Sequence, residues 1–541
     1  MPTPYQTHIG SFTRKTTFFW AAVGATVGLA NLWQFPYLAS LHGGGLFILL
    51  YLGCLLLVTL PLMVTEAAIG RHARHGIVLA MDGLIRSAKR SRLWMAVGRL
   101  SVLSAFLVLS FTAVFGAIAL AYVFFGATSK FSGVDHVSAT GILAGLVSDP
   151  REFRVFMGWH AFFLTMVLWV SGQGVVGGLE RAYRIVVPAT LVLLLALFGL
   201  AARYGRIDAA VSQIIEMHPQ DLTWGSLSAA LFHAFYTLGL GMGVWAILGA
   251  YTTPHTQLKR SILAVVLMDT LVAILAGLMI FAMASQSNVF DGERGFSLLF
   301  ISLPVTLSEL PLSQFVITAV FLMVVMIVWS TSLALLEPVV GWFREWTAAP
   351  RGLSVFLVGV VVWLAGLASL FSFNVWAEYR VGGATVFRWL ELLTGGLMIP
   401  LVAVLIALFT GWGLTRNLSK TMLGKTPGIF GAIWFWVMRL VLPLVVVYIG
   451  IHYTASSLGS LCDNGSEAFW CEPTPNMVER EGGGEASDPV DASESGVNSD
   501  RSTGETGELL PAEQAPENKP VQPQLHPESA PKDDDILYHS V

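Results

Sequence analysis

The stretch "GATVGLANLWQFPYLA", residues 24–39, lies in an apolar segment but has features that a membrane-spanning helix normally lacks. Two glycines, Thr26, Asn31, Gln34 and a proline fall within this short run. In the hydrocarbon core of a bilayer, no water satisfies the backbone groups that a helix break exposes. A break here therefore predicts that protein or a lined cavity satisfies them.

The composition indicates a membrane protein. The chain has 541 residues, of which 55% are hydrophobic and 12% are charged, whereas soluble domains carry about 25% charged residues. A spanning helix needs about 20 mostly apolar residues. The sequence predicts eleven such spans, at residues 16–38, 46–69, 100–125, 152–172, 185–202, 226–250, 262–285, 313–342, 353–371, 384–410 and 431–455. No cleavage site and polar mature domain follow the first span, so we interpret it as a retained helix.

The basic residues predict the orientation. With the N-terminus in the cytoplasm, 18 Lys and Arg residues before position 461 lie in cytoplasmic segments and seven lie outside. Cytoplasmic loops carry the excess of positive charge, so this orientation is favoured. An odd number of spans then places the C-terminus outside, in a protein of the cell (inner) membrane.

The chain divides into a cytoplasmic segment 1–15, a membrane domain 16–455 and a tail 456–541. Residues 461–541 contain 18 acidic and four basic residues and are rich in Gly, Ser and Pro, which is typical of disorder. Cys462 and Cys471 lie at the root of this tail, where an extracytoplasmic location permits a disulfide. Two unrelated thiols are the alternative. We interpret Cys54 as a packing residue within span 2.

A second glycine-rich interruption, "FYTLGLGMGVW", lies in span 6, five spans after the first. Interrupted segments in corresponding positions of two halves mark the binding site of a transporter. This spacing fits a five-plus-five inverted repeat. The alternative is close helix packing through small residues, which is common in membranes.

The chain resembles the neurotransmitter:sodium symporter family, in its bacterial sodium-dependent amino-acid transporter branch. The stretches that carry the resemblance are "VGLANLWQFPYLASLHGGGLF", "LPLMVTEAAIGR", "GGLERAYRIVVP", "FYTLGLGMG", "GFSLLFISLP" and "STSLALLEP". They follow the family's order over residues 10 to 455. Members have eleven or twelve spans, and this chain resembles the eleven-span type, an all-α integral membrane fold with broken helices 1 and 6.

The resemblance implies one or two Na⁺ ions. The first sodium site (Na2) would use backbone oxygens of span 1 and residues of span 8. Its implied ligands are Gly24, Val27, Ile327, Ser330 and Thr331. Hydroxyls in helices commonly bond to their own backbone carbonyls, which is the alternative for Ser330 and Thr331.

The second implied sodium site (Na1) comprises Thr26, Asn31, Thr237 and Asp269. A carboxylate at the centre of an apolar helix costs about 2.5–3.5 kcal/mol on insertion scales, so Asp269 needs a partner. Many family members have Asn at this position, and the animal branch adds a chloride ion nearby. Because Asp269 supplies a fixed negative charge, we expect transport to be independent of chloride.

For the substrate, the resemblance implies that the free amides near Leu29 and Ala30 bind a carboxylate. The other implied lining residues are Thr26, Val108, Thr112, Tyr236, Gly239, Met242, Thr331 and Leu335. The family usually has a tyrosine where this chain has Thr112, which reaches less far. Either a water bridges the gap or the substrate is not an ordinary α-amino acid.

The residues that would close the binding site toward the outside, the outer gate, also differ from the family pattern. An arginine usually occupies the position of Gln34 and pairs with an acid of span 10, here Glu391. Gln34 can hydrogen-bond Glu391, although more weakly, and Arg388 is a candidate substitute for the missing cation. Glu66 is either a buried acid bonded to the break in span 6 or an interfacial charge.

At the inner end, Arg14, Lys15 and Glu345 form either a gate or ordinary charges flanking the spans. No enzyme motif was found: HExxH, GxSxG and GxxxxGK[ST] are absent from the sequence.

Energy should therefore come from an ion gradient. We expect a sodium-coupled symporter of an amino acid or a related small zwitterion, embedded in the lipid bilayer, with no nucleic-acid partner. The alternative is a transporter-like sensor that binds sodium and ligand but transports poorly. The oligomeric state does not follow from the sequence.

Overall fold

The computed structural model describes residues 9–284, 296–424 and 428–463. The acidic tail beyond residue 463, with Cys471 and hence the predicted disulfide, lies outside the described residues.

Nine helices within the described residues are long and apolar enough to cross a membrane. In chain order they form spans 2 to 5 and 7 to 11: Gly45–Ala73, Arg92–Ala127, Phe153–Gly172, Val175–Tyr204, Leu258–Ala284, Ser313–Thr347, Arg351–Phe373, Val386–Gly413 and Gly428–Gly459.

Spans 1 and 6 are broken, which accounts for the remaining two of the predicted spans. Span 1 consists of Thr17–Thr26 (1a), followed by Leu29–Leu32 and Gln34–Leu41 (together 1b). Span 6 consists of Trp224–Tyr236 (6a) and Val244–Tyr251 (6b). Each piece is shorter than the roughly 20 residues that cross a bilayer. The predicted all-helical membrane fold with breaks in spans 1 and 6 is therefore confirmed.

Shorter helices lie in the connections between spans. They are Ile77–Ala88, His136–Val147, Ile207–Ile214, Pro219–Asp221, the pair Leu298–Ser302 and Leu303–Ser308, and Arg416–Leu423.

Helix 6b is held against span 2 along its whole length. A Cβ atom at Gly249 would collide with the backbone of Ala67, and one at Gly70 would collide with the backbone of Ala246. Only glycine permits this approach, because its missing side chain lets the two backbones touch. Beyond 6b, Arg71 donates a hydrogen bond of 2.8 Å to the carbonyl of Thr256. Helix 6b is thus positioned by span 2.

Candidate functional site

The break in span 6 depends on backbone conformations that favour glycine. Gly239, Gly241 and Gly243 have φ values of 63°, 72° and 71°, in the left-handed region that other residues rarely adopt. The backbone N–H of Gly241 donates a hydrogen bond of 2.9 Å to a carboxylate oxygen of Glu66. Glu66 is fully buried. Of the two alternatives for this acid, the structure has the buried one that bonds to the break.

The break in span 1 directs carbonyl groups toward span 8. Helix 1a ends at Thr26, and Val27 is extended, so the last carbonyls of 1a lack partners within the helix. The hydroxyl of Thr331 lies 3.2 Å from the carbonyl oxygen of Val27 and 3.5 Å from that of Gly24. It also lies 3.2 Å from the carbonyl oxygen of Ile327. Four of the five predicted Na2 residues therefore meet at one point.

Ser330, the fifth of these residues, behaves differently. Its hydroxyl donates to the carbonyl of Met326, one turn earlier in span 8, at 2.8 Å. This is the local bonding that serine commonly makes in helices. This bond uses the hydroxyl hydrogen and leaves the lone pairs of the Ser330 oxygen available.

Asp269, the acid of the predicted Na1 site, is 0% exposed, and Asn31 and Thr26 lie next to its carboxylate. The hydroxyl of Thr237 donates to the side-chain oxygen of Asn31 at 3.4 Å, and the phenol of Tyr51 donates to one oxygen of Asp269 at 3.4 Å. Within the described residues, the other oxygen of Asp269 has no hydrogen-bond partner. A buried carboxylate oxygen without a partner is costly, and a small cation at this point would compensate it. The donor set therefore fits Na⁺.

One small cavity, of about 50 Å³, lies between the two breaks. All ten residues predicted to line the substrate site line this cavity: Thr26, Leu29, Ala30, Val108, Thr112, Tyr236, Gly239, Met242, Thr331 and Leu335. Within the described part of the chain, no hydrogen bond engages the Thr112 hydroxyl. Tyr236 closes one side, because its phenol donates a bond of 2.6 Å to the carbonyl of Gly395 in span 10.

The predicted contact between Gln34 and Glu391 is not formed among the described residues. Instead, Arg388 donates to one oxygen of Glu391 at 2.8 Å, and Tyr453 of span 11 donates to the other at 3.3 Å. Of the two candidate partners, Arg388 is therefore the one that bonds to Glu391 in the structure, and a charge-assisted bond from a guanidinium one turn away is stronger than one from a neutral amide. The ion pair lies within span 10 rather than across the gap to span 1.

At the opposite end of the bundle, Glu345 of span 8 pairs with a residue that the sequence did not single out. His75, in the turn after span 2, lies 3.1 Å from its carboxylate, and the N–H of Gly76 donates to the same oxygen at 2.8 Å.

The backbone N–H of Arg14 donates a hydrogen bond of 3.1 Å to the carboxylate of Glu180. The carboxylate of Glu180 also accepts bonds from Thr13 and Thr17, so it holds the start of helix 1a.

Tyr51, His75 and Glu180 make these contacts but were not among the residues predicted from the sequence. Tyr51 lies in the apolar run "LFILLYLGC", where a tyrosine hydroxyl that needs a partner was an available signal. His75 and Glu180 lie next to predicted span ends, where a charged residue is ordinary. Only the packing of distant segments identifies their partners.

Comparisons with known proteins agree with this geometry. The sequence profile of the sodium:neurotransmitter symporter family matches residues 10–137 and 157–462. An uncharacterized sodium-dependent transporter, YhdH, of Bacillus subtilis is 28% identical over 81% of this chain and 96% of its own length. One from Haemophilus influenzae is 25% identical over 82% of this chain and 97% of its own length.

Among solved structures, the crystal structure of MhsT in complex with L-phenylalanine superposes with a TM-score of 0.72 at 28% identity. The match covers 82% of this chain and 99% of that one. The family profile, the curated relatives and the arrangement of the two breaks agree over the same residues. This chain belongs to the sodium:neurotransmitter symporter family.

Proposed function

We propose that this protein is a sodium-coupled symporter that imports an amino acid or a related small zwitterion by alternating access, without a requirement for chloride. The observation that carries the proposal is the meeting of the carbonyls of Gly24 and Val27 with the hydroxyl of Thr331 beside the cavity. Helix ends carry partial charges and free backbone groups. The end of 1a therefore offers oxygens to Na⁺, and the start of 1b offers N–H groups to a carboxylate.

The two ions would have different electrostatic roles. The Na2 residues offer only neutral oxygens, so this site gains one net charge when Na⁺ binds. Asp269 makes the Na1 site electrically neutral once Na⁺ is bound, and no further anion is needed. This is the physical reason for proposing independence from chloride.

The lining of the cavity supports a substrate with an apolar side chain. Leu29, Val108, Met242 and Leu335 contribute hydrophobic surface. A carboxylate would bind at the amides near Leu29 and Ala30, with the Thr112 hydroxyl reached through a water. The L-phenylalanine in the MhsT structure supports the amino-acid class. The cavity of about 50 Å³ requires Tyr236 or its neighbours to move before such a substrate enters.

The membrane potential supplies sufficient energy for uptake. One elementary charge crossing 100 mV provides about 2.3 kcal/mol, and a tenfold concentration ratio requires about 1.4 kcal/mol. One net charge per cycle thus supports roughly fortyfold accumulation before any sodium gradient is added. We further propose a cytoplasmic N-terminus and an extracytoplasmic tail in the cell membrane, from the excess of basic residues in the cytoplasmic segments.

The test is uptake of labelled amino acids into proteoliposomes with and without an inward sodium gradient. Sodium-dependent accumulation is the expected result, and the variant Asp269→Ala should lose it while remaining folded. Binding of sodium and of an amino acid without accumulation would overturn symport in favour of sensing.

A further inference from the structure

Two adjoining apolar grooves run along the side of span 9 that faces away from the helix bundle. The first, of about 740 Å³, lies between spans 3, 8 and 9, and the second, of about 630 Å³, lies between spans 4 and 9. Both are lined by Phe356 and Val360, and Phe356 is 61% exposed. Their volumes are in the range of ligand sites, which are mostly apolar with a few placed polar groups.

The first groove has a cation at its rim. This cation is Arg99, which lines the groove. Arg99 lies about one turn after the start of the helix at Met95. Within the described residues, Arg99 has no hydrogen-bond or ion-pair partner, and no acidic residue lines either groove. A cation close to a membrane needs an anion or water, and it extends toward the headgroup level to find one.

Two indole rings mark the same end of the bundle. Trp342, which lines the groove, stacks on Trp346 with ring centroids 5.6 Å apart and an angle of 8° between the planes. Trp346 is 70% exposed. Exposed tryptophans of membrane proteins concentrate at the level of the headgroups. Arg99 is therefore placed at the boundary between headgroups and acyl chains.

We propose that this face binds one anionic glycerophospholipid. Its phosphate pairs with Arg99, one acyl chain occupies the groove between spans 3, 8 and 9, and the second chain occupies the adjoining groove. Basic residues beside clefts between spanning helices are a recognised basis for binding anionic headgroups. The apolar lining alone would accept any lipid, and Arg99 supplies the preference for negative charge.

The test is native mass spectrometry of the full chain, purified in detergent and incubated with equal amounts of dioleoyl phosphatidylglycerol and dioleoyl phosphatidylcholine. The two lipids share their acyl chains, so only the headgroup differs. One cation near the membrane surface contributes about fivefold preference for an anionic lipid. We expect that preference in the wild type and a ratio near one in Arg99→Gln. Arg99→Lys should retain the preference.

Arg92→Gln is the matched control, because Arg92 is exposed at the same end of span 3 but lines neither groove. It should keep the wild-type ratio. Val361→Trp, which narrows the first groove, should reduce binding of both lipids. Equal ratios in the wild type and Arg99→Gln would overturn the proposal. The proposal would also be overturned if the wild type formed dimers, showed no preference between the two lipids, and lost its dimers in Val361→Trp. A second copy of the chain would then cover this face.

Discussion

The hydroxyl of Thr331 in span 8 lies 3.2 Å from the carbonyl oxygen of Val27, at the point where helix 1a ends. This contact joins two segments that are separated by 304 positions in the chain. It places a side-chain oxygen beside carbonyls that the helix break has released. If Na⁺ binds here as proposed, this contact would couple ion binding to the relative position of spans 1 and 8.

Replacing Thr331 with valine keeps the shape of the side chain and removes its oxygen. We expect the sodium concentration for half-maximal uptake to rise about ten- to a hundredfold, because a polar contact to a charged group contributes about 1.5–3 kcal/mol. Sodium titration of uptake in proteoliposomes measures this shift. Thr410→Val is the control, since the Thr410 hydroxyl bonds only to carbonyls of its own helix. Equal sodium dependence in the two variants would show that the Thr331 hydroxyl is not a sodium ligand.

Asp269 should determine the response to chloride. We expect wild-type uptake to stay within about twofold when chloride is replaced by gluconate, because the buried carboxylate already supplies the negative charge. Asp269→Asn keeps the size of the side chain and removes that charge, and its uptake should become weaker and stimulated by chloride. Paired uptake assays in the two salts measure both effects. A wild type that stops transporting in gluconate would contradict the proposed role of Asp269.

Tyr236 should control how fast a bound substrate leaves toward the outside. Tyr236→Phe retains the ring and removes the 2.6 Å bond to Gly395. A hydrogen bond contributes about 0.5–1.5 kcal/mol net, so dissociation should become about two- to tenfold faster. Washout of a labelled substrate from detergent-purified protein gives the rate. Tyr448→Phe is the control, because the Tyr448 phenol bonds to Ser228 on the exposed surface. Unchanged dissociation in Tyr236→Phe would show that the phenol does not hold the cavity closed.

Glu66 should stabilise the break in span 6. Glu66→Leu leaves the N–H of Gly241 buried without an acceptor, which costs about 1–3 kcal/mol. Glu66→Gln keeps an acceptor oxygen and should be much less destabilised. Thermal unfolding of the purified variants, followed by tryptophan fluorescence, compares them. If both variants unfold at the same temperature, the hydrogen bond to Gly241 is not what stabilises the break.

In the proposed orientation, the pair of His75 and Glu345 should keep the cytoplasmic (inner) end of the bundle closed. His75→Phe preserves a planar ring but removes the nitrogen that lies 3.1 Å from Glu345. We expect faster hydrogen–deuterium exchange in residues 9–17, which pack at the same end, because local opening becomes easier. His72→Phe is the control, since His72 is exposed in the last turn of span 2, just before the turn that carries His75. Equal exchange in both variants would mean that this pair does not restrain the inner end.

The sequence by itself determined the membrane class, the eleven spans and the positions of both breaks. Each of these follows from local properties: the length of apolar runs, and glycines where a helix should continue. The buried carboxylate at Asp269 was also evident, since an acid inside an apolar helix needs a partner wherever the fold places it. The resemblance of "STSLALLEP" and its companion stretches to the family supplied the remaining site residues.

Only the tertiary structure decided how these residues are paired. Glu391 bonds to Arg388 rather than to Gln34, Glu345 bonds to His75, and Ser330 bonds to its own helix. The first and third of these bonds lie within one helix, and the second joins segments 270 positions apart. A polar side chain usually has several candidate partners, and whether it takes a local or a distant one depends on which of them the packing of the helices brings within reach. The position of Tyr236 against Gly395 likewise depends on how span 6 packs against span 10. Local sequence specifies where a helix breaks, whereas helix packing specifies which groups satisfy the break.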